Sequence, residues 1–331
     1  MELLRNLTDT WSPSGNEEGV MKRIKQELSG HVDELMTDNL GNLIAHKKGA
    51  GKKVMLSAHM DEIGLIVIDI DDNGFLRAAA VGGVDVFSSL YQRVRFANGT
   101  AGVVAYEEAL EEMKDLKIDK LYIDIGAVSK EDAQSKVAIG DIAVFEGKLE
   151  RMGGAVMSKA LDNRIGVYVL IDVIKQIKQS PYDLYFVFSS QEEVGLRGAK
   201  AAAFAIEPDI GIAVDVTDTG DTPNCKKMAV KLGAGPAIKV KDSSILCHPK
   251  VRKAMEAIAK AEGIPYQLEI LTAGGTDAGA IHTSRGGVMT GAISIPARYI
   301  HTPSEMVQVD DVNGAIGLLV TFLKKDFLFG V

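Results

Sequence analysis

The chain has only two cysteines, Cys225 and Cys247, in 331 residues. Two thiols cannot build a disulfide framework or complete a structural zinc site by themselves, so both are read as small reduced hydrophobes. Long apolar runs are missing as well; none approaches the roughly 18 residues needed to span a bilayer. At the start, MELLRNLTDTW places Glu2, Arg5 and Asp9 where a signal peptide would need its apolar stretch. A cytoplasmic location with no membrane partner is therefore expected. Excess positive charge is absent: 37 Lys and Arg stand against 45 Asp and Glu, for a net charge of -8. No basic cluster interleaves with aromatics to track a phosphate backbone, so no nucleic-acid partner is expected. A composition of 46% hydrophobic and 25% charged residues excludes disorder.

What the chain has in excess is glycine, 34 residues against an average near 7%. At roughly 150 residues per domain, the length points to about two domains. Asn16-Glu17-Glu18 opens an amphipathic helix with Val20, Met21, Ile24 and Leu28 on one face, and Asp38 to Gly41 reads as a hairpin turn. Lys53 to Ala58 (KVMLSA) is a short apolar strand ending at His59-Met60-Asp61-Glu62. From about 65 to 155 the pattern changes to short strands, such as 64–70, 93–96, 102–106 and 141–145, divided by turn signals at Asp72-Asn73-Gly74, Ala97-Asn98-Gly99 and Ile139-Gly140-Asp141.

From Asp162 the βα alternation resumes, with helices over about 162–179, 197–205 and 249–262 and after Asp310, and strands over 183–188, 210–214, 267–271 and 288–295. Alternating apolar strands and amphipathic helices predict an α/β fold, a mixed and largely parallel sheet covered by helices on both faces. The expected organisation is one catalytic domain, 1–65 and 156–331, interrupted by a β-rich, barrel-like insertion over 66–155.

The polar residues at the strand ends draw the eye because open α/β sheets place their sites there. KVMLSA leads into His59-x-Asp61, LYFVFSS into Gln191-Glu192-Glu193, IGIAV into Asp215, and the strand ending at Ile295 is followed by His301; Asp162 starts a helix. Each alone has an ordinary reading: Asp162 as a helix N-cap, the glutamate pair as a solvated turn. Together they do not, because carboxylates directly after apolar strands repel one another unless cations neutralise them. Two histidines with several carboxylates suit borderline divalent ions such as zinc, cobalt or manganese, and the surplus of carboxylates points to two metals. One carboxylate must stay off the metals to take a proton from the attacking water, and adjacent Glu192 and Glu193 can divide the roles of base and ligand. In His59-x-Asp61 the acid can hydrogen-bond the second imidazole nitrogen.

The segments SAHMDEIG (57–64), ALDNRIG (160–166), SSQEEVGLRGA (189–199), VDVTDTGDTP (214–223), GGTDAGAIH (274–282) and IPARYIHTPSEMV (295–307) resemble, in order and spacing, the glutamyl and deblocking aminopeptidase family. That family includes the TET aminopeptidases and proteins labelled cellulase M. The resemblance implies that Asp162 bridges two metals, that His59 and Asp215 complete one site and Glu193 and His301 the other, that Glu192 is the general base and that Asp61 orients His59. It further implies a hydrolase that removes N-terminal residues from short peptides, with two divalent ions per subunit (zinc or cobalt) and a hydroxide between them as nucleophile. A large homo-oligomer built through the insertion, of up to twelve subunits or of dimer building blocks, is also implied. The alternatives are a metal-free glycoside hydrolase using two carboxyls, suggested by the cellulase M label, and a two-metal deacylase. Arg197 and Arg298 are candidates to bind an acidic substrate side chain, or else structural ion-pair partners.

Overall fold

A computed structural model describes residues 1–225 and 227–326. Strand Lys53–His59 is buried along nearly its whole length, and its alternate side chains feed two cores. Val54 and Leu56 enter the larger core, and Met55 the smaller one on the opposite face. Asp183–Ser189 and Ile210–Thr217 flank it in parallel, and Met289–Arg298 runs parallel to Ile210–Thr217. These four strands form the parallel centre of an 11-stranded mixed sheet.

Antiparallel strands extend both sides: Leu43–Lys47 and then Glu34–Thr37 on one, Glu305–Gln308, Ala155–Ser158 and Glu150–Met152 on the other. Ala237–Lys241 pairs antiparallel with Met289–Arg298 and carries Gln267–Ile270. Helices Leu161–Gln176 and Val309–Lys324 cover one face, their Ile165, Val169, Ile316 and Leu319 packing into the core of Val54 and Leu56. Helices Arg197–Ile206 and Asp277–Ile281 cover the other, with Ala199, Ala203 and Ile281 against Met55 and Val187. The fold is thus the α/β class that alternating apolar strands and helices predict. Among the described residues no helix is long and apolar enough to cross a membrane.

Between the strand carrying His59 and the helix carrying Asp162, six strands close an antiparallel barrel in the order Gly64–Ile70, Leu76–Val81, Leu121–Asp124, Ala101–Tyr106, Arg93–Phe96, Ile142–Phe145. Its interior is a separate core containing Leu65, Val67, Leu76, Val94, Phe96, Val104, Ile123 and Phe145. Residues 93–96 alternate exposed and buried, the period-2 signature that marks this segment in the sequence. Its turns use Gly74 at φ +90° and Gly99 at φ +91°, a region costly to residues with a Cβ. Glu150–Met152 lies inside the 66–155 segment yet belongs to the large sheet, through its hairpin with Ala155–Ser158. All three of its residues are exposed, so it carries no apolar pattern from which sequence reading could assign it.

Candidate metal centre

Parallel strands in register present their C-terminal ends at one edge. Ser189 is paired with His59 and Ala213 with Ser57, which sets His59, Asp215 and the turn after Ser189 side by side. Asp162 arrives from a different direction. It lies at the start of the helix Leu161–Gln176 with a non-helical ψ of 104°, and the N-cap residue is Ala160 with no side-chain cap bond, so the ordinary capping role is not what Asp162 does. Its two oxygens diverge instead: Oδ1 is 3.0 Å from His59 Nε2 and Oδ2 is 3.2 Å from His301 Nε2.

Glu193 Oε2 is 3.3 Å from His301 Nε2, while Asp215 Oδ1 and Glu192 Oε2 lie 3.7 and 3.9 Å from His59 Nε2. Donor atoms of His59, Asp162 and Glu193 fall within 4.8 Å of one another, as do those of His59, Glu192 and Asp215. The structure therefore brings together His59, Asp162, Glu192, Glu193, Asp215 and His301, six of the residues singled out at the strand ends and at the helix start. The glutamate pair, read alone as a solvated turn, has Glu193 at hydrogen-bonding distance from His301.

Asp61 sits directly behind the cluster and is fully buried. Its Oδ1 is 3.4 Å from His59 Nδ1, a nitrogen with no hydrogen-bond partner. Its shorter contacts go elsewhere: Oδ1 accepts the Glu192 amide at 3.0 Å, and Oδ2 accepts the Glu193 amide at 3.2 Å and the Ser14 hydroxyl at 2.6 Å. Asp61 thus fixes the backbone that aims both glutamates. Glu17 adds to this by accepting the Gln191 amide at 3.0 Å, where Gln191 holds φ +53°.

Two further supports escape a reading of strand ends. Glu305, buried, accepts the amides of Asp162 at 2.8 Å and His301 at 2.9 Å, tying together residues from opposite sides of the cluster. Gly83, at the exit of the barrel strand Leu76–Val81, presents its carbonyl to His301 Nδ1 at 2.9 Å. A Cβ there would lie 2.6 Å from the imidazole, so only glycine admits the ring. This contact leaves Nε2 of His301 turned toward Asp162 and Glu193, the arrangement that orients a ligating imidazole. The available signals were an acidic residue in an otherwise half-apolar strand and the Gly82-Gly83 pair.

The electrostatics follow from crowding acids in a buried site. Burial pushes Glu192 well above the usual carboxylate range, reinforced by the charges of Asp215 and Glu193 against the opposing pull of His59. Burial likewise raises Asp215 and Glu193, with Asp162 adding to both. Burial would raise Asp162 too, but hydrogen bonds with His301 and His59 hold it below its ordinary value. His301, despite burial, is pushed up to about 12 by Asp162 and Glu193. Against burial, Glu192, Asp162 and Asp61 raise His59 well above its ordinary value. Without a cation the cluster therefore retains protons, and divalent ions would displace them. A buried nitrogen and oxygen donor set with more carboxylates than protein cations, and no thiolate, fits borderline divalent metals. Beside it opens a cleft of about 570 Å³ lined by His59, Glu192, Asp215, Asp218, Leu271 and Ile300 among others.

Comparison with known proteins gives consistent results. A sequence model of the M42 glutamyl aminopeptidases matches residues 41–318. A protein of Acetivibrio thermocellus, provisionally named an aminopeptidase, is 57% identical over 319 residues, covering 96% of this chain and 97% of its own. The aminopeptidase APDkam598 of the archaeon Desulfurococcus kamchatkensis superposes with a TM-score of 0.95 at 39% identity, covering 100% of this chain and 97% of its own. The TET1 peptidase of Pyrococcus horikoshii, described as assembling into a tetrahedron or a large octahedral shell, gives a TM-score of 0.88 at 33% identity, with 98% and 99% covered.

Proposed function

Since this chain belongs to the M42 glutamyl aminopeptidase family, we propose that it removes N-terminal residues from short peptides at the cluster around Asp162, with two divalent ions and with Glu192 as general base. The observation that carries this reading is the divergence of the Asp162 carboxylate, one oxygen toward each imidazole. His59 and Asp215 would hold one ion with Asp162, and Glu193 and His301 the other; zinc or cobalt suits these donors. When bound, such ions supply Lewis acidity at the scissile carbonyl and make a water acidic enough to react near neutral pH. The protein's own part is proton handling and alignment. Glu192, raised by burial, takes the proton of the attacking water and passes it to the leaving amine. Asp61, Glu17 and Glu305 hold the backbone of the reacting and ligating residues at fixed places.

The decisive experiment compares aminoacyl anilides with a free α-amino group against their N-acetylated forms. Cleavage of the free form alone, abolished by chelation and restored by zinc or cobalt, is the expected result. Equal cleavage of the acetylated form would turn the reading toward a deacylase. Hydrolysis of cellulose surviving metal removal would turn it toward a glycoside hydrolase. That last alternative leaves His59 and His301 without a task and requires Glu193 to flank a sugar while it lies against His301.

A large homo-oligomer assembled through the barrel is part of the same proposal. Ile68, Phe87, Tyr91 and Ile139, all from the barrel segment, are exposed large apolar residues, a surface that association would cover. Light scattering should give a mass of several chains, and a monomer at micromolar concentration would remove this part of the reading. The unpaired Cys225 and Cys247 suit a reducing compartment such as the cytoplasm.

A further inference from the structure

A cleft that receives the first side chain of a peptide selects by the charge and shape of its walls. Lys239 is the one lysine or arginine lining this cleft among the described residues. It is not available to a substrate: 1% exposed, its ammonium pairs with Glu269 and, at 3.2 Å, with Asp242. Glu269 also accepts the Thr217 hydroxyl at 2.9 Å, so two carboxylates already surround that single cation. The other arginines that could have met an acidic side chain are committed or distant. Arg298 forks onto Asp221 at 3.0 and 2.8 Å, and the exposed Arg197 donates to Gln191. Among the described residues, an acidic side chain would find no unpaired cation on these walls.

The opposite charge is present. Asp218 is exposed one residue beyond strand Ile210–Thr217, on the wall of the same cleft. Leu196, Leu271 and Ile300, each half-buried, line the cleft with it. Outside the metal-centre carboxylates, Asp218 is the one acidic group on these walls among the described residues, and an acid beside Leu196, Leu271 and Ile300 matches a side chain that has an aliphatic stem and a cationic head.

We propose that this chain prefers peptides beginning with lysine or arginine, with Asp218 pairing to the side-chain cation. The proposal rests on the aminopeptidase reading above and names its substrate class. The test measures kcat/KM of the metal-loaded enzyme on lysyl, arginyl, leucyl and glutamyl p-nitroanilides. Lysyl and arginyl substrates should exceed the glutamyl one by about tenfold or more, as expected for a charge-assisted contact in a partly desolvated cleft. Asp218→Asn should lower the lysyl-to-leucyl ratio roughly fivefold, and Asp218→Lys should shift preference toward the glutamyl substrate. Added salt should compress the wild-type ratio, because the contact faces solvent. Fastest cleavage of the glutamyl substrate, or a lysyl-to-leucyl ratio that neither variant moves, overturns the assignment of Asp218. Those outcomes differ from failure of the underlying reading, in which none of the four substrates is cleaved. Asp218 is exposed, so both variants should fold, and an unchanged melting temperature verifies it.

Discussion

Replacing Glu192 by Gln should lower kcat by about 10²–10⁴-fold, the usual contribution of a positioned general base, while both metal ions remain bound. The amide keeps the size and shape of the side chain but cannot take a proton from water. The geometry alone leaves two roles open, since Glu192 Oε2, His59 and Asp215 form one of the two close donor groups. A ligand and a base are separated by stoichiometry. If Glu192 is the base, elemental analysis of Glu192→Gln gives the wild-type metal content; if it is a ligand, the content falls. The electrostatics add a sign. Burial raises the Glu192 carboxyl, and Asp215 and Glu193 raise it further, so its ionised form is unfavourable in the folded protein and the penalty grows as pH rises through its folded value. Metal-free Glu192→Gln should therefore melt no lower than metal-free wild type at neutral pH. A variant with near wild-type turnover, or one that loses an ion, would remove Glu192 as base.

Much of this site was legible in the sequence because its physical logic is local. A largely apolar strand leading into His59, Glu192-Glu193 or Asp215 marks both the strand and an end where a site can form, and parallel register places those ends together without further information. The barrel was legible for a similar reason, since alternation as in residues 93–96 and Asn-Gly turns are short-range signals. What stayed hidden depends on contacts between segments far apart in the chain. Nothing near Glu305 reveals that it will accept amides from Asp162 and His301. Nor does Gly83 announce that its carbonyl will meet an imidazole 218 residues away.

Asp61 shows a subtler limit. The H-x-D spacing points to a hydrogen bond from His59 to Asp61; the two side chains lie 3.4 Å apart, and His59 Nδ1 has no hydrogen-bond partner. The two amides that Asp61 accepts belong to a turn on another strand, which no spacing rule within 57–64 could supply. Glu150–Met152 is wholly exposed and offers no apolar pattern; Ala237–Lys241 does alternate over Ile238-Lys239-Val240-Lys241, but the run is short and the strand is held by pairing with Met289–Arg298.

If one carboxylate serves both sites, as proposed, Asp162→Asn should reduce the metal content from about two ions per chain to about one or fewer. An amide presents one oxygen and one NH₂ group, and the NH₂ group does not bind a cation, so the substitution removes a donor and a negative charge with little change in volume. The backbone amide of residue 162 can still donate to Glu305, so the fold should survive, and far-ultraviolet circular dichroism can verify that. Metal-free protein offers a second readout. Asp162 is the foremost of the groups that overcome burial and raise His301 to about 12, so in metal-free Asp162→Asn that imidazole should lose its proton at a lower pH, followed by nuclear magnetic resonance. The two measurements test different things. An unmoved His301 would contradict the 3.2 Å contact between its Nε2 and Asp162. Unchanged metal stoichiometry with a lowered His301 would leave that contact standing and reject bridging, so the second ion would then have to be held by Glu193 and His301 without Asp162.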